Sequence, residues 1–505
     1  MATDATAEEV PDAYEDLVAH YRRITGVQDA AQLLRWDQQV TMPPGGTPAR
    51  SLELSTLSGI QHELLTDEDV GDWLYALEDA DLGPEQAAAV REIEREYERA
   101  DRVPRHLVEE ISARTSDALP VWEEAKAEDD WDAFAPHVEE LIDLKRRYAE
   151  HIDPDRDAYA VLFEDYEPYL PLDTAERVLG RLRDELVPLI DDVAASDVEI
   201  ESPFAGGTFP EEAQEAFSRD VLDRLGYDWD RGRLDTSSHP FTSGNQFDSR
   251  ITTRFDQSDP LSALLSTVHE FGHATYSLGL PQDAYGSPLG ESRDLTVHES
   301  QSRLWENHVG RSRAFWELIA PAVHQHFDGV SEASVDDFYR AVNRIYPDNL
   351  IRVEADELTY HLHIVLRFEI ERDLIAGDLD VSEVPAVWND KMDEYLGVRP
   401  ETDSEGCLQD IHWSHGSFGY FPTYSLGSVL AAQLHHHAES DIEDLEDQVR
   451  AGEFEDLHAW LTEHVHRHGC RYTTPDLIEA ATGEAYTADY FVDYVSEKFG
   501  ALYDL

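Results

Sequence analysis

"STVHEFGHATYSLGL" (Ser266–Leu280) carries two histidines four residues apart, with a glutamate directly after the first. Residues four apart lie on one face of an α-helix, about one turn from each other. His269 and His273 can therefore offer ring nitrogens to one ion, and Glu270 reaches the same space without coordinating it. Two ligands and a base within five residues is the mechanical content of His-Glu-x-x-His. The flanks, "LSALLS" before and "ATYSLG" after, are small and apolar, so the segment reads as a buried helix. A charged glutamate buried between two histidines needs a compensating partner. A pair of histidines satisfied inside a core is the rival reading, and it leaves Glu270 unexplained.

Outward from this helix the chain is mostly helical in pattern. "DAYEDLVAHYRRI", "EQAAAVREIEREYERA", "HVEELIDLKRRYAEHI" and "TAERVLGRLRDELVPLIDDV" each place apolar residues at steps of three and four. Asp173 and Thr174, with Glu176 close behind, give the last of these a start signal. Turns fall at "MPPGGTPAR", "ESPFAGGTFP" and "GSPLGES". One stretch, "DSRITTRF", has β-branched residues and no helical period, so a short strand is expected just before the metal helix. The pattern taken alone is mostly helical with one short strand. No linker divides the chain, so residues 1–505 are expected to form one helical domain. Within it, residues 1–200 would form a wall or lid, and 201–505 would carry the site.

The chain has 505 residues, with 39 basic and 107 acidic side chains and a formal charge of −68. Such a charge excludes nucleic acid and anionic membranes as partners, since both require a basic surface. Lysine is confined to Lys126, Lys145, Lys391 and Lys498. The acidic excess is dispersed rather than gathered in a tail, and reads as adaptation to high salt, where repulsion is screened within a few ångströms. Two cysteines, Cys407 and Cys470, make no disulfide framework. The N-terminus "MATDATAEEVPDAYEDL" shows no signal-peptide pattern, and no apolar run is long enough to span a bilayer, so a soluble cytoplasmic protein is expected. The "HHH" at His435–His437 falls on a helical run and reads as surface histidines.

A metallopeptidase site needs a third ligand. The metzincin pattern would require histidine at position 279, which is Gly279, so that class is excluded. The helix breaks at Gly279-Leu280-Pro281 and a new one is expected near Asp294, carrying "TVHESQSRLWENH". Glu299 on it is far enough along to return antiparallel, and His298 and Glu306 compete with it.

HEFGH followed by "HESQ" resembles the carboxypeptidase Taq family of zinc metallocarboxypeptidases, which have a gluzincin-type site. Further stretches carry the likeness in the same order: "DSRITTR" (248–254), "IRVEADELTYHLHIVLRFE" (351–369), "GCLQDIHWSHGSFGYFPTYSLG" (406–427) and, near the N-terminus, "LLRWDQQVTMPPGGTPAR". The departure is Ser249, where that family usually has arginine. The resemblance implies an all-α fold with a deep groove and a very small β-sheet beside the metal helix, a homodimer, and removal of single C-terminal residues from peptides with a free C-terminus. It selects Glu299 as the third ligand with His269 and His273 for Zn²⁺, a role in which Co²⁺ can substitute. Glu270 would then be the general base. The oxyanion needs further donors. Tyr420 or Tyr424 on the glycine-flanked loop is one, and His412 is a second candidate unless it makes a structural hydrogen bond. Arginine suits a free α-carboxylate because its fork meets both oxygens. Arg352 is the first choice and Arg250 the next; the competing role for Arg352 is a pair with Asp356, four residues on. Two other functions share these features: a helical zinc oligopeptidase or dipeptidase, and a catalytically silent zinc-stapled binding protein.

Overall fold

The computed structural model describes residues 11–505; the first ten, part of the stretch read for a signal peptide, lie outside them. The first helices are α1 (Asp12–Val40), α2 (Thr47–Leu65), α3 (Glu68–Leu77) and α4 (Pro84–Arg102). They are followed by α5 (Arg105–Glu128), α6 (Trp131–Ile152), α7 (Ala158–Phe163), α8 (Leu172–Ala195) and α9 (Glu211–Leu225). A sheet of β1 (Gly232–Thr236), β2 (Thr242–Gly244) and β3 (Ser249–Thr253) comes next. The site-bearing helices are α10 (Pro260–Gly279), α11 (Leu295–Arg303), α14 (Thr359–Ala376) and α16 (Pro422–Asp441). Between them run α12 (Arg313–His326), α13 (Val335–Val342) and α15 (Val384–Leu396), and four more helices complete the chain to Tyr503.

The periodic segments fold as expected because each buries one stripe. On α8 the buried residues are Ala175, Val178, Leu179, Leu182, Leu186, Ile190 and Val193, a three-and-four spacing. Each large one contributes about 1.5–3 kcal/mol on burial. The start of α8 differs from expectation. Pro171, at φ −63° and ψ 140°, is the residue before the helix, and no side chain caps it. The proline's fixed φ sets the entry, which puts Asp173 inside the first turn, where it complements the helix dipole instead of capping.

Most helices share one core; α1, α3 and α4 close a second over Leu17, Tyr21, Ile24, Leu74 and Ile93. Polar contacts tie the two together. Arg293, in the loop before α11, meets both oxygens of Glu92 on α4 at 2.8 Å. Tyr21 on α1 donates toward Glu291 in the same loop at 3.1 Å.

The sheet has order β1-β3-β2, with β1 parallel and β2 antiparallel to β3. The strand legible in the sequence, β3, is the central one, and four of its five residues are buried. β1 and β2 carry no strand signal of their own. β1, "GRLDT", alternates too weakly, and β2, "TSG", is too short; only pairing with β3 makes them strands. Cys407 and Cys470 are buried free thiols. No described helix is long and apolar enough to cross a membrane.

Candidate active site

Asp259 caps α10 by accepting from the backbone of Leu261 and Ser262. Along the helix Val268, Phe271 and Ala274 face the core, which turns His269 and His273 to its half-buried edge. Two glycines then bring the third group in. A Cβ on Gly272 of α10 would lie 2.6 Å from the Ser302 backbone of α11. A Cβ on Gly427 of α16 would lie 2.5 Å from the Glu299 Cβ. Glu299 is thus held between two helices that approach more closely than any side chain would permit.

The Glu299 Oε2 atom lies 3.7 Å from His269 Nε2 and 3.5 Å from His273 Nε2. These three are, among the described residues, the group whose ligand atoms fall within 4.8 Å of one another. The competitors take other positions. Glu306 bonds the opposite nitrogen, His269 Nδ1, at 2.9 Å, and receives Arg303 and Arg311. His298 Nδ1 meets His273 Nδ1 at 2.6 Å. Both are ring-orienting contacts that leave each Nε2 for an ion. Glu306 reaches its place because the chain after α11 winds as a π-helix over Leu304–Gly310, a form frequent at functional sites. Burial pushes the Glu299 carboxyl up, but Arg303, His269 and His273 outweigh it and hold it well below the usual carboxylate range. Burial, with His273 beside it, lowers His298 to about 3, so this ring is neutral. Two imidazoles of fixed orientation and one ionised carboxylate match the donor set of catalytic zinc sites.

Glu270 is buried beside this group. Thr242 of β2 donates to its Oε2 at 2.6 Å, which fixes the carboxylate.

Tyr420 and Tyr424 do not share one loop as expected: Tyr420 precedes α16 and Tyr424 lies in its first turn. His412, Tyr420 and Tyr424 pack together, with ring centres 5.3–6.3 Å apart. His412 Nε2 is 3.4 Å from the Tyr424 hydroxyl. Both tyrosines are raised, by burial first, and the Glu299 charge contributes at each.

Arg352 sits in a short 3₁₀ turn, and the pair with Asp356 that competed for it does not form. Asp356 instead accepts from the backbone of Tyr346, Leu358 and Thr359 and so caps the entry to α14. The partner of Arg352 is Asp410, whose Oδ1 accepts from Nε at 2.9 Å and Nη2 at 2.8 Å. The Asp410 Oδ2 accepts from Arg367 at 2.6 Å. The Arg352 guanidinium lies 5.4 Å from the Tyr424 ring centre. Arg250 stands apart from this group: it bonds Asp248 and stacks 4.4 Å over Trp36.

Sequence reasoning missed Thr242, Arg303, Arg367 and the orienting role of Glu306. Arg303 had a signal, being four residues after Glu299 on one helix face. So did Arg367, a lone charge in the apolar run "HIVLRFE" that had to find a partner. The other partnerships are long-range and carried none. The His435–His437 run joins no such group. His436 is exposed, His437 pairs with Glu484 at 2.9 Å, and His435 is half-buried against His308.

Residues 16–499 match the family model described as carboxypeptidase Taq (M32) metallopeptidase. The chain belongs to that family. Thermostable carboxypeptidase 1 of Pyrococcus furiosus is 39% identical over 97% of this chain and 98% of its own length. Thermostable carboxypeptidase 1 of Thermus thermophilus is 37% identical over 97% and 99%. The crystal structure of M32 carboxypeptidase from Deinococcus radiodurans superposes with a TM-score of 0.95 at 38% identity, covering 98% of this chain and all of that one. This M32 chain is a metallocarboxypeptidase, an enzyme of peptides that uses a divalent metal.

Proposed function

We propose that the enzyme is a zinc exopeptidase that releases single residues from free peptide C-termini, with His269, His273 and Glu299 as the metal ligands and Co²⁺ as a competent substitute. When bound, the ion supplies Lewis acidity, which polarises the scissile carbonyl and makes water acidic enough to attack near neutral pH. Glu270, steadied by Thr242, takes the proton of the attacking water and delivers it to the leaving amine. Tyr420 or Tyr424 donates to the developing oxyanion, and His412 positions Tyr424 through its Nε2 contact. Arg352 receives the terminal carboxylate. In this reading the N-terminal helices form a wall over the site. It is supported by a cavity of about 370 Å³ in which Thr25, Gln28 and Arg35 of α1 face Thr242 and His298. A homodimer and a cytoplasmic location belong to the same reading.

The observation that carries the exopeptidase reading is the buried Arg352 guanidinium over Tyr424, on the helix that also grips Glu299. An oligopeptidase has no use for a cation there, because its substrate continues as neutral backbone. The test is a blocked tripeptide and its C-terminal amide: hydrolysis of the acid alone is expected, and equal hydrolysis of both would favour the oligopeptidase.

The ligand assignment has its own test. Glu299→Ala should lose stoichiometric metal, one of three protein ligands being gone. Glu306→Ala should keep it with affinity weakened roughly 10- to 100-fold, since only a ring orienter is removed. The reverse pattern in metal analysis of the dialysed variants would make Glu306 the ligand.

Salt tolerance is also part of the proposal. With a formal charge of −68, self-repulsion destabilises the compact state in dilute buffer. Activity and Tm should both rise between about 0.1 M and 1 M KCl, as the screening length falls from roughly 10 to 3 Å. A flat or falling Tm over that range would count against it.

A further inference from the structure

We infer that Tyr360 forms, together with Arg352, the two-donor receptor for the substrate's terminal carboxylate. The inference rests on the reading of Arg352 given above and extends it to a residue with no role in the motif.

The hydrogen-bond inventory around Arg352 leads to it. Two of its three nitrogens, Nε and Nη2, are committed to Asp410. Arg367 fills the other oxygen of Asp410. Two guanidiniums around one carboxylate leave one positive charge in excess. The Arg367 side chain is wholly buried, so that charge can meet a substrate only at Arg352. What remains of Arg352 is the Nη1 edge, which donates to the Tyr360 hydroxyl at 3.2 Å. The phenol accepts there, and its own proton has no acceptor among the described residues. Nη1 carries a second hydrogen as well. Two unspent donors on neighbouring atoms, one of them charged, suit the two oxygens of a carboxylate. Tyr360 is half-buried where Arg352 is buried, so the phenol is the more accessible of the two.

The ring is placed as firmly as the hydroxyl. Arg303 lies over it, 5.0 Å from its centre, while the same guanidinium holds Glu299 Oε1 at 2.7 Å. Tyr424 meets the ring edge-on at 6.1 Å. Tyr360 therefore spans the arm of the metal ligand and the carboxylate anchor, and sets the distance between them. A C-terminal amide offers this receptor one acceptor and an N–H in place of two acceptors. Its N–H would face a donor and leave that donor unpaired, which rejects it.

Tyr360→Phe tests this, because it removes one oxygen and keeps the ring beneath Arg303. In the metal-loaded variant, KM for a blocked tripeptide acid should rise roughly ten- to a hundredfold, the range for losing a hydrogen bond to a charged group. The kcat should stay within about twofold, bound metal should be unchanged, and discrimination against the amide should fall by the same factor as KM rises. Calorimetry in a metal-loaded Glu270→Gln background gives a readout free of turnover: adding Tyr360→Phe should weaken binding of the acid by that factor and leave the amide unaffected. Unchanged KM and acid affinity in Tyr360→Phe, alongside a large acid-specific loss in Arg352→Ala, would overturn the inference and leave the Arg352 reading intact. A fall in kcat at constant KM would also overturn it, by placing the phenol at the reacting carbonyl. A wild-type enzyme that treats acid and amide alike would overturn both.

Discussion

Glu270→Gln should lower kcat by about 10²–10⁴-fold, the usual contribution of a positioned general base, while the metal stays bound. The substitution is nearly isosteric, and Glu270 belongs to neither the His269–His273–Glu299 group nor its orienting contacts. Thr242 can still donate, because the amide oxygen of glutamine accepts as the carboxylate did. What is lost is the ability to take a proton from water. The structure therefore predicts a clean separation, with metal content and Tm near those of the wild type and turnover nearly abolished. Atomic absorption, a melting curve and single-turnover hydrolysis on one preparation check it. Wild-type turnover in a fully loaded variant would remove Glu270 from the chemistry. A variant that lost its metal would show instead that the Glu270 charge serves the binding site.

Arg352→Ala should reduce kcat/KM on free-acid peptides by roughly thirty- to several-thousand-fold. A charge-assisted contact broken at a buried site costs about 2–5 kcal/mol, and each 1.4 kcal/mol is about tenfold. The fold should survive, because Asp410 keeps its bond to Arg367 at 2.6 Å and is not left as an unpaired buried charge. Amide substrates should be cut poorly by the wild type and no worse by the variant, since they bring no carboxylate to the missing guanidinium. Both substrates are measured with both proteins after equal zinc content is confirmed. Proportional losses on acid and amide would make Arg352 a structural residue. The carboxylate role would then pass to Arg250, which would have to leave Asp248 and Trp36 to perform it.

What the sequence alone determined is what depends on local spacing. The helical period of α1, α4, α6 and α8 follows from apolar steps of three and four, and His269 and His273 share a face because four residues make about one turn. The β-branched run at 248–255 marked the central strand. The order of motifs along the chain was enough to suggest the family. Tertiary structure decided every partnership between distant segments. Local spacing offered Asp356 to Arg352, but a backbone cap at the entry to α14 claimed it, and the carboxylate that binds the arginine comes from Asp410. Glu299, His298 and Glu306 were all plausible third ligands on one segment. The proposal of Glu299 among them rests on Gly272 and Gly427, which press it toward the histidines, and on the π-helix that carries Glu306 to the far side of His269. β1 and β2 exist only because β3 lies beside them. A sequence records which side chains a helix or strand can present on a face. Which faces meet, and at what distance, is set by how closely the backbones can pack.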